Sequence, residues 1–267
     1  MDIDWGRTAS DYARYRAGFP DRFFDRLFAS GWVKAGDRLL DLGTGTGNVA
    51  RGLARRGCTV TALDRSQPLL EQAARLDRED GVHIQYVLAS AEDSGLATHS
   101  FDTITAGQCW HWFDKAHAGR EIMRLLRPGG ALILAHFGRL PLPGSVVEAT
   151  ETLIREHNPA WYDGVIQRRG INRDIGIQPD WFADLSRSGF VDLESFTFDI
   201  SMPYSHEAWL GRIRASSGAG ASLPPNQVEG FNTALRQLLK TRFPDQSLQI
   251  PQRVFALMGR TPLTTPP

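Results

Sequence analysis

An α/β fold, with a mostly parallel sheet covered by helices on both faces, is predicted from three observations. Short apolar runs recur from Arg38 onward, helical patterns alternate with them, and the first run ends in a turn with glycine at every second position. Strands that are apolar nearly throughout must be covered on both faces, and strands that alternate with helices pair in parallel through crossovers.

Taken in order, residues 8–30 read as two helices broken at Gly18-Phe19-Pro20, the second carrying Phe23, Phe24, Leu27 and Phe28 on one face. The alternating pattern follows: strand 38–42, helix 48–56, strand 58–63, helix 67–78, strand 82–88, strand 101–106, helix 114–126 and strand 131–136. After Phe137 the rhythm breaks, because Leu140-Pro141-Leu142-Pro143-Gly144 cannot continue a strand. The next helix-then-strand signal lies at 179–198, so 138–178 reads as an insertion. Strand 190–200 is followed by helical segments near 205–215 and 226–240 around the loop Ser216–Pro225, and a last strand falls near 248–258. Insertions after strands on the ligand side of a sheet commonly build a lid or a substrate wall.

Composition narrows the function. A chain of 267 residues suits one α/β domain with insertions. Lysine plus arginine equals aspartate plus glutamate at 30 each, which gives no overall field to hold a nucleic acid. The two cysteines, Cys58 and Cys109, lie in apolar stretches without a CxxC neighbour, as expected of buried free thiols in a reducing compartment. The seven histidines have no metal-ligand spacing, so no metal site is expected. The start Met1-Asp2-Ile3-Asp4-Trp5 is acidic, and the longest apolar run, Ala131–Ala135, is too short for a bilayer; a cytoplasmic protein without membrane contact is the expectation. Homodimer formation is left open.

The chemistry concentrates at Leu39-Leu40-Asp41-Leu42-Gly43-Thr44-Gly45-Thr46-Gly47-Asn48. Glycine admits positive φ and close backbone approach, and a helix beginning near Asn48 adds unpaired N–H groups, so a small, partly anionic nucleoside cofactor suits this turn. Two cofactors compete. Gly45-Thr46-Gly47-Asn48-Val49-Ala50 fits the dinucleotide pattern GxGxx(G/A), with Asp64 about 20 residues on as a ribose acid, and would serve an NAD-dependent oxidoreductase. Read from Asp41, the same run is DxGxGxG, which suits S-adenosyl-L-methionine (SAM).

Downstream stretches favour the second reading. Ala62-Leu63-Asp64-Arg65-Ser66, Ser90-Ala91-Glu92-Asp93, Ser100-Phe101-Asp102 and Leu125-Leu126-Arg127-Pro128-Gly129-Gly130-Ala131 stand in order, and Gln108-Cys109-Trp110-His111-Trp112-Phe113-Asp114 resembles a QxFHWFD stretch, with Trp110 in place of its first phenylalanine. With these, residues 8–136 resemble the class I SAM-dependent methyltransferases, the methyltransferase type 11 domain, and within them the branch similar to trans-aconitate methyltransferases. The resemblance implies a Rossmann-like seven-stranded sheet with helical cap insertions. N-terminal helices over 1–36 would cover the cofactor site, the SAM-binding core would span 37–137, a cap or lid 138–178, and 179–267 would complete the sheet with a helical insertion at about 204–246.

The resemblance also implies roles. Asp64 would take both ribose hydroxyls of SAM, Gly43, Gly45 and Gly47 would let the backbone approach it, and Asp41 would act on its amino-acid end through backbone or water. Ser90, Ala91 and Glu92 would receive the adenine edge, although the family often has aspartate where this chain has Ser90, and Arg65 would belong to the same cofactor site. Gln108 would meet the cofactor or its methionine end. Tyr12 and Arg16 belong to a leader similar to Y-x-x-x-R-P-x-Y-P and would hold the SAM carboxylate, with Ala17 and Phe19 in place of the family's proline and tyrosine. His111, between Trp110 and Trp112, is the catalytic candidate, since a neutral imidazole can take a proton from a hydroxyl or amine; the tryptophans read as core or pocket wall. Arg168 and Arg169, near Trp161-Tyr162, could fork a carboxylate acceptor. The expected reaction is methyl transfer to a small molecule, most readily on carboxylate or hydroxyl oxygen; a SAM-binding module without catalysis is the further alternative.

Overall fold

The computed structural model describes residues 8, 11, 14–15, 17–161, 175–245 and 247–263. Its strands are β1 (Arg38–Leu42), β2 (Thr59–Asp64), β3 (Gln85–Leu88), β4 (Phe101–Gly107), β5 (Leu126–Arg139), β6 (Val191–Ser205) and β7 (Ser247–Arg260). Its principal helices are α1 (Asp21–Ala29), α2 (Asn48–Ala54), α3 (Gln67–Asp80), α4 (Lys115–Leu125), α5 (Val146–His157), α6 (Asp180–Arg187), α7 (His206–Arg214) and α8 (Pro225–Arg242). The strands form one seven-stranded sheet in the order β3-β2-β1-β4-β5-β7-β6. The pairs β3–β2, β2–β1, β1–β4 and β4–β5 are all parallel. The fold is the doubly wound α/β sheet that the alternation predicts.

Two compact units divide the chain. A core unit comprises Gly18–His136, Gln178–Thr197 and Val254–Pro267, and a helical unit comprises Met1–Ala17, Phe137–Ile177 and Phe198–Arg253. In the core unit, four consecutive residues of β1, Leu39 to Leu42, are buried, which requires cover on both faces of the sheet. Helix α1 starts directly after Pro20 and buries Phe23, Phe24 and Leu27. Gly52 of α2 leaves the space that the Phe24 ring occupies, so α1 and α2 approach closely. Between β4 and β5 the register passes from Phe101↔Leu126 to Thr103↔Ala131. The Arg127-Pro128-Gly129-Gly130 stretch is therefore a bulge inside a strand longer than the expected 131–136.

In the helical unit, Val146, Trp161, Trp209, Phe231, Leu235 and Ile250 belong to one buried cluster, whose removal from water is the main stabilising term. A buried ion pair, Arg139 to Glu151 at 2.8 Å, lies in the same unit, and Trp209 Nε1 donates to Thr150 Oγ1 at 3.1 Å. Pro203 falls within β6, which is tolerated because β6 is an edge strand of the sheet.

The sequence reading gives no bounds for an element between Gly144 and residue 179, where the resemblance implies a cap or lid, and helix α5 stands there. Its inner face includes the polar Thr150 and Glu151 beside Val146, Val147 and Ile154, and these hide the apolar stripe. The start signal is nevertheless present. The Ser145 hydroxyl accepts from Glu148 N at 3.2 Å, while the Glu148 carboxylate accepts from Gly144 N at 2.7 Å, a close relative of a capping box. Ser145→Ala is expected to lower stability by about 1 kcal/mol, seen as a lower urea midpoint with an unchanged slope. No helix among the described residues is long and apolar enough to cross a membrane.

Candidate active site

The register brings four chain ends to one edge of the core unit's sheet. Leu42 lies opposite both Leu63 and Ala106, and Asp64 lies opposite Leu88. The segments that begin at Gly43, Arg65, Ala89 and Gln108 therefore leave neighbouring strands at their carboxyl ends, the position at which doubly wound sheets bind ligands.

Gly43, Gly45 and Gly47 take φ of +57°, +57° and +77°. The first and last also lack room for a side chain. A Cβ on Gly43 would fall 2.9 Å from that of Cys109, and one on Gly47 would fall 2.8 Å from Arg51 Nη1 and 2.9 Å from the Tyr86 hydroxyl oxygen. Only glycine satisfies both the dihedral and the space.

Asp64 is 7% exposed. Its Oδ2 accepts from Gly45 N at 2.8 Å and its Oδ1 from Ser66 N at 2.9 Å. Burial raises its pKa, against which the N–H groups of Gly45 and Ser66 act. Each oxygen keeps acceptor capacity beyond its backbone bond. Asp64 thus ties the glycine turn to the end of β2 while presenting a carboxylate.

Asp41 plays a different part. It is 1% exposed, and its two oxygens accept from Thr44 Oγ1 and Thr105 Oγ1, both at 2.6 Å. The carboxylate pins β1, the turn and β4 to one another. Burial pushes its pKa up to about 6, against which the threonine hydroxyls act.

Gln108 follows β4 with φ +62°, and its N–H donates to Ala135 O at 2.7 Å. A left-handed glutamine is strained and persists only where its surroundings fix it. The chain then forms a single 3₁₀ turn, Trp110–Trp112. Trp110 is fully buried and its Nε1 donates to Asp184 Oδ2 at 3.0 Å, an oxygen that Lys115 Nζ also meets at 2.9 Å. His111 is buried, with its ring centroid 4.9 Å from that of Trp112. Cys109 Sγ lies 3.1 Å from Leu42 O, so the His111 turn is fastened to the end of β1 as well as to α6.

The loop after β3 is organised by short contacts. Asp93 N donates to Ser90 Oγ at 3.2 Å, Ala91 is buried, and Asp114 N donates to Glu92 Oε1 at 2.9 Å. One oxygen of Glu92 thus serves the cap of α4, and Arg65 is exposed. Tyr12, Arg16, Arg168 and Arg169 lie outside the described residues. Sequence reasoning missed Arg51, Asp77 and Tyr86 behind the turn, Thr44 and Thr105 on Asp41, and Asp184 under Trp110. The sequence offered no signal for Asp184, and charged residues within α2 and α3 carry no local mark of burial.

Comparison with known proteins decides between the two cofactors. A family profile described as a methyltransferase domain matches residues 40–134. A malonyl-acyl-carrier-protein O-methyltransferase of Enterobacter lignolyticus is 34% identical over 261 residues, covering 97% of this chain and 91% of the relative. The chain belongs to the class I SAM-dependent methyltransferases. An uncharacterized methyltransferase of Mycobacterium tuberculosis is 35% identical over 204 residues, covering 76% of this chain and 80% of the relative. Among solved structures, the provisionally assigned type II methyltransferase of Anaeromyxobacter dehalogenans superposes with a TM-score of 0.62 at 25% identity, covering 93% and 99% of the two chains. The phosphoethanolamine N-methyltransferase 2 of Haemonchus contortus, solved with S-adenosylhomocysteine, shares the fold with a TM-score of 0.57 at 19% identity over 95% of this chain and 57% of that one.

The cofactor of this methyltransferase is SAM. The residues present fit it, since the turn leaves backbone where a Cβ cannot stand and Asp64 keeps a buried carboxylate at the end of β2.

Proposed function

We propose that this methyltransferase acts on an oxygen of a small-molecule acceptor, either a carboxylate or a hydroxyl. The observation that carries the reading is the fixed turn after β4, in which strained Gln108 leads into buried His111 at the ligand edge of the sheet. Relatives named for O-methylation support the choice of oxygen. Besides the malonyl enzyme, a ubiquinone biosynthesis O-methyltransferase of Xanthomonas oryzae is 38% identical over 187 residues, covering 68% of this chain and 72% of the relative. A malonyl group ends in a carboxylate, and a quinol offers a hydroxyl.

Bound SAM supplies an electrophilic methyl on a sulfonium, so alignment and exclusion of water do most of the catalytic work. Asp64 takes the ribose diol. The turn at Gly43, Gly45 and Gly47 would admit the methionine end, with Asp41 holding the turn from inside and Gln108 toward the amino-acid group. Ser90, Ala91 and Glu92 would receive the adenine edge, with Arg65 beside the cofactor. For a hydroxyl acceptor, His111 removes the proton; a carboxylate acceptor is already ionised and needs only to be held in line. A cytoplasmic location agrees with two buried free cysteines, of which Cys58 has its pKa pushed up to about 12 by burial.

Incubation with methyl-labelled SAM and a panel of carboxylic acids and phenols tests the reading. A base-labile label indicates a methyl ester and a base-stable, ether-bound label a methyl ether; label found on nitrogen would overturn the proposal. With a hydroxyl acceptor, His111→Asn is expected to lower kcat about 10²-fold and to flatten the acidic limb of the pH profile. With a carboxylate acceptor the same change leaves that limb as it is.

A further inference from the structure

Behind the glycine turn, on the side occupied by α2, α3 and β3, lies a buried polar network that none of the assigned roles uses. Arg51, on α2, is 8% exposed, and Asp77, on α3, is 5% exposed. Arg51 Nη1 meets Asp77 Oδ1 at 2.9 Å, its Nε meets Asp80 Oδ2 at 3.1 Å, and its Nη2 donates to the backbone carbonyl of Thr46 at 2.8 Å. The second Asp77 oxygen accepts from the Tyr86 hydroxyl at 2.7 Å. Arg55 Nη2 closes the set on Asp80 at 2.5 Å. Two guanidinium groups and two carboxylates thus balance in charge.

The arrangement has a direction. Thr46 stands between Gly45 and Gly47, and its carbonyl is the turn atom that the guanidinium grips. Arg51 and Tyr86 are also the two groups that a Cβ on Gly47 would strike. Asp77 and Asp80 fix the planar fork, Tyr86 fixes Asp77, and the fork fixes the peptide that precedes the left-handed Gly47. Lysine, a point charge with freely rotating donors, cannot hold three acceptors in one plane.

We propose that Arg51, oriented by Asp77, Asp80 and Tyr86, is a positioning residue for SAM, which holds the glycine turn in its binding conformation without touching the cofactor. The inference rests on SAM binding by that turn. Three left-handed glycines at alternate positions have many alternative conformations available to them. A cofactor that binds one conformer loses affinity in proportion to that conformer's population. Releasing the Thr46 carbonyl should therefore appear in cofactor affinity.

Calorimetric titration with S-adenosylhomocysteine, at a temperature where every variant is folded, tests this. Arg51→Lys is expected to raise Kd about tenfold, the equivalent of one charge-assisted hydrogen bond. Tyr86→Phe, which removes a single hydroxyl, should raise it roughly threefold, with the same order in KM for SAM and little change in kcat at saturation. Leu185→Val, a buried apolar change in α6, should lower Tm while Kd stays at the parent value. Kd within a factor of about 1.5 of the parent in both network variants, or an equal rise in Leu185→Val, would overturn the proposal and leave the network a structural feature only. If Arg51→Lys does not fold, Tyr86→Phe decides alone. A parent that fails to bind the probe would count against SAM binding itself, which is a separate result.

Discussion

Asp64→Ala is expected to weaken binding of S-adenosylhomocysteine by about 10²- to 10³-fold, measured by titration calorimetry on folded protein. Two losses combine. The proposed contacts to the ribose diol are hydrogen bonds to an ionised acceptor, each contributing about 1.5–3 kcal/mol. The same carboxylate accepts from Gly45 N and Ser66 N, so alanine also releases the turn whose shape the cofactor needs. The two effects share one residue and are not additive, which places the estimate below the sum of the separate terms. Asp64→Asn retains the shape and one acceptor oxygen and should fall between the parent and the alanine variant. A Kd for Asp64→Ala within about threefold of the parent would remove Asp64 from the cofactor site.

The sequence showed the core sheet clearly because the signals there are local. Leu39-Leu40-Asp41-Leu42 is buried without interruption, the glycine turn follows directly, and Asn48 begins a helix, all within a dozen residues. Each feature is dictated by near neighbours. The bulge at Arg127–Gly130 lies between, since Pro128 and the glycines place the expected strand start at 131, while strand pairing on either side carries β5 from Leu126 to Arg139.

What could not be read depends on partners distant in sequence. Asp184 is 74 residues from Trp110, and nothing local marks it as the acceptor for that indole. Arg51 and Asp77 are 26 residues apart, and each alone resembles the solvated polar face of an amphipathic helix. Their burial follows from how closely α2 and α3 pack over β2, which a hydrophobic pattern does not encode when the inward residue is charged. The bounds of helix α5 were hidden for the same reason on a smaller scale, with Thr150 and Glu151 turned inward. Polar groups on a buried face are the rule behind these omissions, and they collect around the elements that shape the cofactor turn and the helical unit.

Asp41 makes that polar burial measurable through pH. Its folded-state pKa is about 6 against an ordinary value of 3.8. Below about pH 3 the carboxyl is protonated in both states and costs nothing. As pH rises from 3 to 6 the unfolded chain releases its proton first, so stability falls, and above pH 6 the loss levels off at about 3 kcal/mol. Asp41→Asn carries no titrating proton and keeps one oxygen for a threonine hydroxyl while offering an N–H to the other. Its stability relative to the parent should therefore increase by about 3 kcal/mol between pH 3 and pH 7, followed by urea unfolding at each pH. A difference that stays flat across this interval would mean that Asp41 ionises without penalty, its two threonine hydroxyls having fully replaced the water it lost. A rising difference would show that the chain keeps at this position a carboxylate costing it stability, as expected where a turn is fixed for binding and not for maximal stability.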